Sequence, residues 1–174
     1  MSSETQGFDK AIWQCYNSHM THNTLALETN QPTYPAGFLS KILHGLGAKD
    51  TNNPSSLMES VQKGFSFSVF EAVQKEIDIP QKQLSEILGI PTRTLSRRKE
   101  ANHLSAVESD RLYRIIRIYT FTVDVLGNAE KARKWLKHPN TELGGEMPLE
   151  LLDTDIGSGL VEDVLNRIKY GIYG

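Results

Sequence analysis

The sequence predicts an all-α fold, and three observations support this prediction. Apolar side chains recur at the three- and four-residue spacing of an amphipathic helix, and the longest such stripe comprises Leu112, Ile115, Ile116, Tyr119, Val123 and Leu126. Capping residues mark helix starts, as where Ser105 precedes Glu108 by three positions. No segment shows a convincing two-residue alternation of apolar and polar side chains, which is typical of a half-buried strand.

The composition is that of a cytoplasmic globular protein. Its 174 residues suffice for one domain with a substantial core or for two small ones. No apolar run approaches the roughly 20 residues that span a bilayer, and residues 1–10 lack the apolar segment of a signal peptide. The single cysteine, Cys15, excludes an internal disulfide and fits a reducing compartment. We therefore expect a cytoplasmic protein that has no membrane partner.

The net charge of −2 conceals an uneven distribution of charge along the chain. Residues 1–64 have a net charge of −1, residues 65–137 of +4 and residues 138–174 of −5. A basic segment can face phosphate groups, whereas a strongly acidic segment cannot easily do so. The middle of the chain is therefore the part suited to an anionic partner.

The first 64 residues carry weak helix signals. Residues 8–16 place four apolar side chains at helical spacing, which permits a short helix there. Residues 21–35 have the composition of a linker, and short helices are predicted at residues 36–46 and 55–63. No chemistry follows from this segment.

From residue 65 onward the helix signals are stronger. Ser66 or Ser68 can cap a helix whose inner face comprises Val69, Phe70, Val73 and Ile77. Pro80 and Gly89 then bracket a helix over residues 81–88, because proline suits the first turn of a helix and glycine its C-terminal end.

The C-terminal part is predicted to contain two more helices joined by a long connection. Asn128 caps a helix over residues 129–138, which is followed by a loop at residues 139–146 and a short helical turn at residues 148–152. A last helix follows Asp155, and its predicted inner face comprises Leu160, Val161, Val164, Leu165 and Ile168.

Residues 81–101 predict a helix-turn-helix. In such a motif the first helix braces against the DNA backbone, and the second helix, the reader helix, lies in the major groove. Residues 89–91 form the predicted turn, where Gly89 supplies a positive φ, and residues 92–101 form the predicted reader helix. Leu95 is expected to anchor that helix to the core.

The reader helix is rich in side chains suited to DNA. Arginine fits the O6 and N7 atoms of guanine, and short hydroxyl side chains suit phosphates or base edges. The candidate DNA-binding residues are Thr92, Arg93, Thr94, Ser96, Arg97 and Arg98. Weaker candidates for backbone contacts are Lys82, Gln83, Arg111 and Arg114. An ordinary helical hairpin with a basic solvent face remains the alternative.

Signals for an enzyme are weak. His19 and His22 have metal-ligand spacing but no third ligand, and the calcium-loop-like run that begins at Asp153 has Val164 where the bidentate glutamate belongs. Glu146 and Glu150 have no partner for acid–base work. We therefore predict no catalytic residue, no metal and no cofactor.

Two parts of the sequence resemble the Xre/MbcA/ParS family of antitoxins. Residues 83–98 resemble the DNA-binding segment of that family. The more specific C-terminal motifs are Ala132-Arg-Lys-Trp-Leu136, Pro139-Asn140, Leu143-Gly-Gly145, Pro148-Leu-Glu-Leu-Leu-Asp-Thr154 and Val164-Leu-Asn-Arg-Ile-Lys-Tyr-Gly171. The resemblance implies a Cro/Xre-like helix-turn-helix domain at residues 65–127, followed by a small helical toxin-binding domain at residues 128–174. Residues 1–64 then form an N-terminal helical region or linker without an assigned role.

The resemblance also implies a function. Members of this family neutralise a RES-domain toxin, which consumes NAD or uses it for ADP-ribosylation, and they repress their own operon through operator DNA. The toxin contacts that it implies are Arg167, Lys169, Tyr170, Gly171, Ile172 and Tyr173. Because one reader helix reads only a few base pairs, we expect a homodimer, and a larger complex with the toxin. The alternative is a helix-turn-helix repressor whose C-terminal domain senses a ligand or another partner and which has no toxin.

Overall fold

The computed structural model describes residues 54–171 of the chain, and the regular elements in this part are all helical. The α-helices are α1 (Pro54–Lys63), α2 (Phe67–Ile77), α3 (Gln81–Ile87), α4 (Thr92–Ala101), α5 (Ala106–Leu126), α6 (Ala129–Leu136) and α7 (Asp155–Tyr170). Two short 3-10 turns, Thr141–Leu143 and Glu150–Asp153, lie between α6 and α7. The prediction of an all-α fold is confirmed. The helices predicted within residues 1–46 lie outside the described residues.

The long helix α5 is the centre of the fold. It packs against α1, α6 and α7, and its apolar stripe is buried at Leu112, Ile115, Ile116 and Tyr119 but only half-buried at Val123 and Leu126. The predicted capping box is present at its start. Ser105 Oγ accepts a hydrogen bond from the Glu108 amide at 3.3 Å, and Glu108 Oε2 accepts one from the Ser105 amide at 2.7 Å.

The start of α2 differs from the prediction in one detail. Ser66 occupies the N-cap position, but its hydroxyl bonds the hydroxyl of Ser68 at 2.6 Å and does not cap a backbone amide. The inner face is as predicted, since Val69, Phe70, Val73 and Ile77 are all buried.

The connection between α6 and α7 is more regular than predicted. Asn128 caps α6 as expected, because its Oδ1 accepts hydrogen bonds from the amides of Glu130 and Lys131 at 2.7 and 3.2 Å. The helix ends at Leu136, and the segment predicted as a loop contains the 3-10 turn at Thr141–Leu143.

Helix α7 corrects one predicted core residue. Val161, Val164 and Leu165 are buried as predicted, but Leu160 is 51% exposed. At 3.6 residues per turn Leu160 lies about 100° from the middle of the buried face, so the side chain projects outward. The placement of Leu160 on the inner face was therefore wrong.

Polar contacts join α5 and α6 to the end of α2. The Tyr119 hydroxyl donates to Glu76 Oε1 at 2.8 Å, and Arg133 Nη1 donates to the backbone oxygen of Glu76 at 3.1 Å. Burial, and then the hydrogen bond to Glu76, raise the pKa of Tyr119 well above its ordinary value, so the phenol stays protonated. Lys137 Nζ donates to the Asp78 backbone oxygen at 2.9 Å.

The buried core is shared by the N-terminal and C-terminal helices. It extends without interruption from Phe65, before α2, to Leu165 in α7. None of the helices in the described part has the length and apolar content that crossing a membrane would need.

Candidate functional site

The helices α3 and α4 and the turn between them form the predicted helix-turn-helix. Gly89, with a φ of +63°, directs the chain away from α3, and its amide bonds the Glu86 carbonyl at 2.9 Å. The Ile90 amide bonds the Ser85 carbonyl at 2.8 Å, and the Ile90 side chain is buried. The turn is therefore fixed both by backbone hydrogen bonds and by an apolar anchor.

Arg111, from α5, lies against this turn. Its Nη1 donates to the Leu88 carbonyl at 2.8 Å, which satisfies one of the carbonyl groups that remain free at the end of α3. A Cβ atom at position 89 would lie 2.6 Å from the same Nη1. Glycine is thus favoured at position 89 mainly by its positive φ, and a Cβ there would also displace the end of the flexible Arg111 side chain. Arg111, which the sequence analysis names as a weaker candidate for DNA contacts, is thus hydrogen-bonded within the protein.

Arg93 and Arg97 form the exposed cationic face of α4. Both side chains are exposed, and neither has an ion-pair partner among residues 54–171. They are one turn apart on the helix, on a side that the buried Leu95 does not share. This pair of guanidinium groups is available to an external anion or base.

The hydroxyl candidates lie at the start of the same helix. Thr92 and Ser96 are exposed, while Thr94 is half-buried. Ser96 Oγ donates to the Thr92 carbonyl at 3.3 Å. The N-cap residue, Pro91, offers no side-chain hydrogen bond to the first amides of the helix.

The last cations of α4 are bound internally. Arg98 Nε lies 2.8 Å from Glu108 Oε2, and the Arg98 side chain is only 24% exposed. Lys99 Nζ pairs with Glu71 at 3.2 Å. Arg98 therefore connects the reader helix to the capping box of α5. Its predicted contact with DNA stays a prediction.

The candidate residues at the C-terminal end of α7 point in different directions. Arg167 is exposed and pairs with Glu142 at 3.2 Å, and Tyr170 is 56% exposed. Lys169 is turned toward α5, where it pairs with Asp124 at 3.0 Å. Gly171 ends the helix with a φ of +65°. Ile172 and Tyr173 lie outside the described residues.

Among residues 54–171 no group of three His, Cys, Asp or Glu side chains is arranged to hold a metal ion. Asp155, from the calcium-loop-like run, instead lies 3.7 Å from the guanidinium of Arg114. His19 and His22 lie outside the described residues.

Two family models match the chain and together span nearly all the described residues. Residues 56–117 match the antitoxin Xre-like helix-turn-helix domain, which includes α3 and α4. Residues 122–171 match the antitoxin Xre/MbcA/ParS C-terminal toxin-binding domain, which includes α6 and α7.

Curated relatives agree with the family models. The chain is 32% identical over 119 residues to an Antitoxin Xre from Yersinia enterocolitica, with 67% of this chain and 80% of the relative covered. It is 31% identical over 114 residues to an Antitoxin Xre from Photorhabdus laumondii, with 64% and 77% covered. It is also 24% identical over 131 residues to a Prs ADP-ribosylating antitoxin from a Sphingobium species, with 70% and 82% covered. The chain belongs to the Xre/MbcA/ParS family of antitoxins, with a helix-turn-helix domain followed by a C-terminal toxin-binding domain.

Proposed function

We propose that this antitoxin binds and neutralises a RES-domain toxin and represses its own operon by binding operator DNA in the cytoplasm. The toxin is one that consumes NAD or uses it for ADP-ribosylation. The observation that carries the DNA-binding part is the exposed pair Arg93 and Arg97, which lack internal partners among the described residues. In this proposal residues 65–127 bind DNA and residues 128–174 bind the toxin.

The geometry of α4 suits major-groove binding. The two arginines are four residues apart, about 6 Å along the helix axis, which is close to the spacing of two base-pair steps. Each guanidinium can donate two hydrogen bonds to a guanine. The uncapped amides at the start of α4 and the hydroxyls of Thr92, Thr94 and Ser96 suit the adjacent phosphates.

The internal ion pair of Arg98 gives it a second role. The carboxylate of Glu108 fixes the guanidinium against α5, so this side chain holds the reader helix in position. A contact between Arg98 and a phosphate remains compatible with its partial exposure. We expect R98A to lower both stability and DNA affinity, whereas R93A lowers DNA affinity alone, as unfolding curves and gel shifts on the same samples would record.

The operator is bound by a homodimer in this proposal. One reader helix contacts only a few base pairs, so two helices about one DNA turn apart, roughly 34 Å, are needed for a specific site. Sedimentation of the protein alone and of its complex with DNA measures this directly. A monomer under both conditions would contradict the dimer.

The DNA-binding part is tested with promoter DNA from upstream of the coding sequence. R93A and R97A should each weaken binding by about 1–3 kcal/mol, or about 5- to 150-fold. K131A is the matched control, because Lys131 is exposed, lies on α6 and has no ion-pair partner among the described residues. Gel shifts that are the same for R93A, R97A and the wild type would refute this part of the proposal.

Two observations support the toxin as partner of the C-terminal helices. The domain that matches residues 122–171 is described as toxin-binding, which favours a protein toxin over a small ligand. One relative is named an ADP-ribosylating antitoxin, which favours toxin chemistry based on NAD. We retain Arg167, Lys169, Tyr170, Gly171, Ile172 and Tyr173 as the proposed toxin contacts.

Co-expression with the toxin tests neutralisation. We expect the toxin to be the product of an adjacent reading frame, and wild-type antitoxin should restore growth when both are induced. Deletion of residues 170–174 should abolish this protection and leave the promoter gel shift intact. If the truncated antitoxin still protects the cells, the proposed role of the C-terminal end is wrong.

A further inference from the structure

Helix α7 has an exposed side that is unusually apolar. Among the described residues five large apolar side chains are exposed, and three of them belong to α7: Ile156 at 81%, Leu160 at 51% and Tyr170 at 56%. Such side chains are individually common on protein surfaces. Ile156 and Leu160 are one turn apart and form a small apolar patch, and Tyr170 lies on the same side of the helix about 15 Å from Leu160. Exposed apolar patches mark interaction sites.

The three side chains lie along one stripe. At 3.6 residues per turn, positions 156, 160, 163, 167 and 170 fall within a sector of about 80° and extend for about 21 Å along the helix. We call these five residues the α7 stripe: Ile156, Leu160, Asp163, Arg167 and Tyr170. All five are exposed, and the opposite face of the helix is buried in the core.

The neighbouring charges on α7 are directed elsewhere. Glu162 pairs with Arg117 at 3.0 Å, and Lys169 pairs with Asp124 at 3.0 Å, so both side chains hold α7 against α5. Arg167 pairs with Glu142 at the edge of the stripe. The two apolar side chains at the start of α7 therefore remain exposed although the helix itself is firmly attached to the protein.

Two features of the sequence and structure favour a toxin protein as the partner that covers the α7 stripe. The stripe lies wholly within the residues that match a toxin-binding domain, and it is continuous with Arg167 and Tyr170. The segment around it is acidic, because residues 138–174 contain seven acidic and two basic side chains. A complementary surface is therefore apolar with a basic rim.

We propose that the α7 stripe is the main docking surface for the toxin, with Ile156 and Leu160 as its apolar anchors. This proposal rests on the proposed function, because it takes the partner to be a toxin protein. The anchors fill an apolar depression on the toxin, and Asp163 faces a basic group beside it. Residues near Tyr170 then reach the toxin from the other end of the same helix.

The structure offers a closely matched control for the anchors. Ile156 is the second residue of α7, and Val107 is the second residue of α5 and is 62% exposed. Both positions follow a capping hydroxyl residue, and alanine is well tolerated in an exposed first turn. I156A and V107A thus remove similar apolar groups from equivalent places, but only the first lies in the stripe.

The experiment measures the affinity of full-length antitoxin for the purified toxin from the adjacent reading frame. I156A and L160A should each weaken binding by about 10- to 30-fold, as expected for anchors at the centre of an interface. The double variant should lose more than either, whereas V107A should stay within about twofold of the wild type. D163K should weaken binding more at low salt than at high salt.

The binding measurements distinguish failure of the docking surface from failure of the proposed function. Wild-type affinity in the double variant overturns the docking surface and leaves the proposed function intact. A toxin that binds the stripe but lacks RES chemistry overturns the proposed function and supports the docking surface. Loss of self-association in the double variant, with unchanged toxin affinity, shows that a second copy of the chain covers the stripe and overturns the assignment. Absence of any wild-type binding overturns both proposals.

Discussion

Replacing Gly157 with alanine should destabilise the protein, whereas the same replacement at Gly159, two residues later in α7, should stabilise it. A Cβ atom at position 157 would lie 2.0 Å from the Leu151 carbonyl oxygen and 3.0 Å from Thr154 Oγ1. The first of these atoms belongs to the backbone of a 3-10 turn that packs against α7, so it cannot rotate away. The turn and the helix would have to separate.

The magnitude follows from three contributions. Overpacking of this kind costs about 1–3 kcal/mol. The cap at Thr154, whose Oγ1 accepts a hydrogen bond from the Gly157 amide at 3.1 Å, would be weakened, at a cost of about 1 kcal/mol. Alanine regains up to about 1 kcal/mol through its helix propensity. The net loss of unfolding free energy for G157A is therefore about 1–3 kcal/mol.

G159A is the control, because a Cβ at that helical position meets no atom within 4 Å. We expect it to gain about 0.5–1 kcal/mol from helix propensity alone. Urea unfolding of both variants gives the comparison, and the midpoints should lie on opposite sides of the wild type. If G157A unfolds at the same urea concentration as G159A or at a higher one, the close approach of Leu151 to α7 is wrong.

Two further predictions concern the turn at Gly89 and the start of α5. G89A should cost more stability than G127A, because both glycines have a positive φ but only a Cβ at position 89 moves the Arg111 guanidinium away from the Leu88 carbonyl. Since the Arg111 side chain is flexible, the excess should be the value of that one hydrogen bond, about 0.5–1.5 kcal/mol, and should disappear in an R111A background. S105A should cost about 1 kcal/mol, because the capping hydroxyl of α5 is lost, and thermal unfolding that equals that of the wild type would contradict the role of the capping box.

The helices themselves were predictable because their signals are local. The capping box at Ser105 and Glu108 involves residues three apart, and Asn128 caps amides two and three residues later. The positive φ of Gly89 follows from the need for a tight turn between two short helices. Each of these features depends on a few neighbouring residues, so the sequence alone contains the information.

The partners of the cations were not predictable in the same way. Arg111 bonds a carbonyl 23 residues earlier in the chain, and Arg98 bonds a carboxylate 10 residues later. These contacts depend on how α5 packs against α3 and α4, and no spacing rule gives that packing. The prediction from the sequence therefore grouped Arg98 with Arg93 and Arg97 as DNA candidates. In the structure Arg98 is partly buried and paired with Glu108, whereas Arg93 and Arg97 are exposed.

The wrong prediction that Leu160 is buried has a different cause. Helix α7 carries apolar residues on more of its circumference than the core can cover, since Ile156 and Leu160 lie outside the sector of Val161 and Leu165. Hydrophobic periodicity alone placed Leu160 on the inner face together with Val161 and Leu165, because the surface against which α7 packs is not known from the sequence. The error itself is informative, because an apolar residue in excess of the core is what a docking surface requires.

The same distinction applies to charge, where the net value of a segment says little about what it can bind. Residues 65–137 contain 13 basic side chains, all within the described part, and eight of them form ion pairs within the protein: Lys82, Arg98, Lys99, Arg114, Arg117, Arg133, Lys134 and Lys137. A ninth, Arg111, is bonded to a carbonyl. Most of the basic side chains are thus bonded within the protein, and the pairs of Arg98, Arg114 and Arg117 connect α5 with α4 and with α7. Arg93 and Arg97 are the cations of the described reader helix that this internal pairing leaves available, and for that reason we propose them as the DNA contacts.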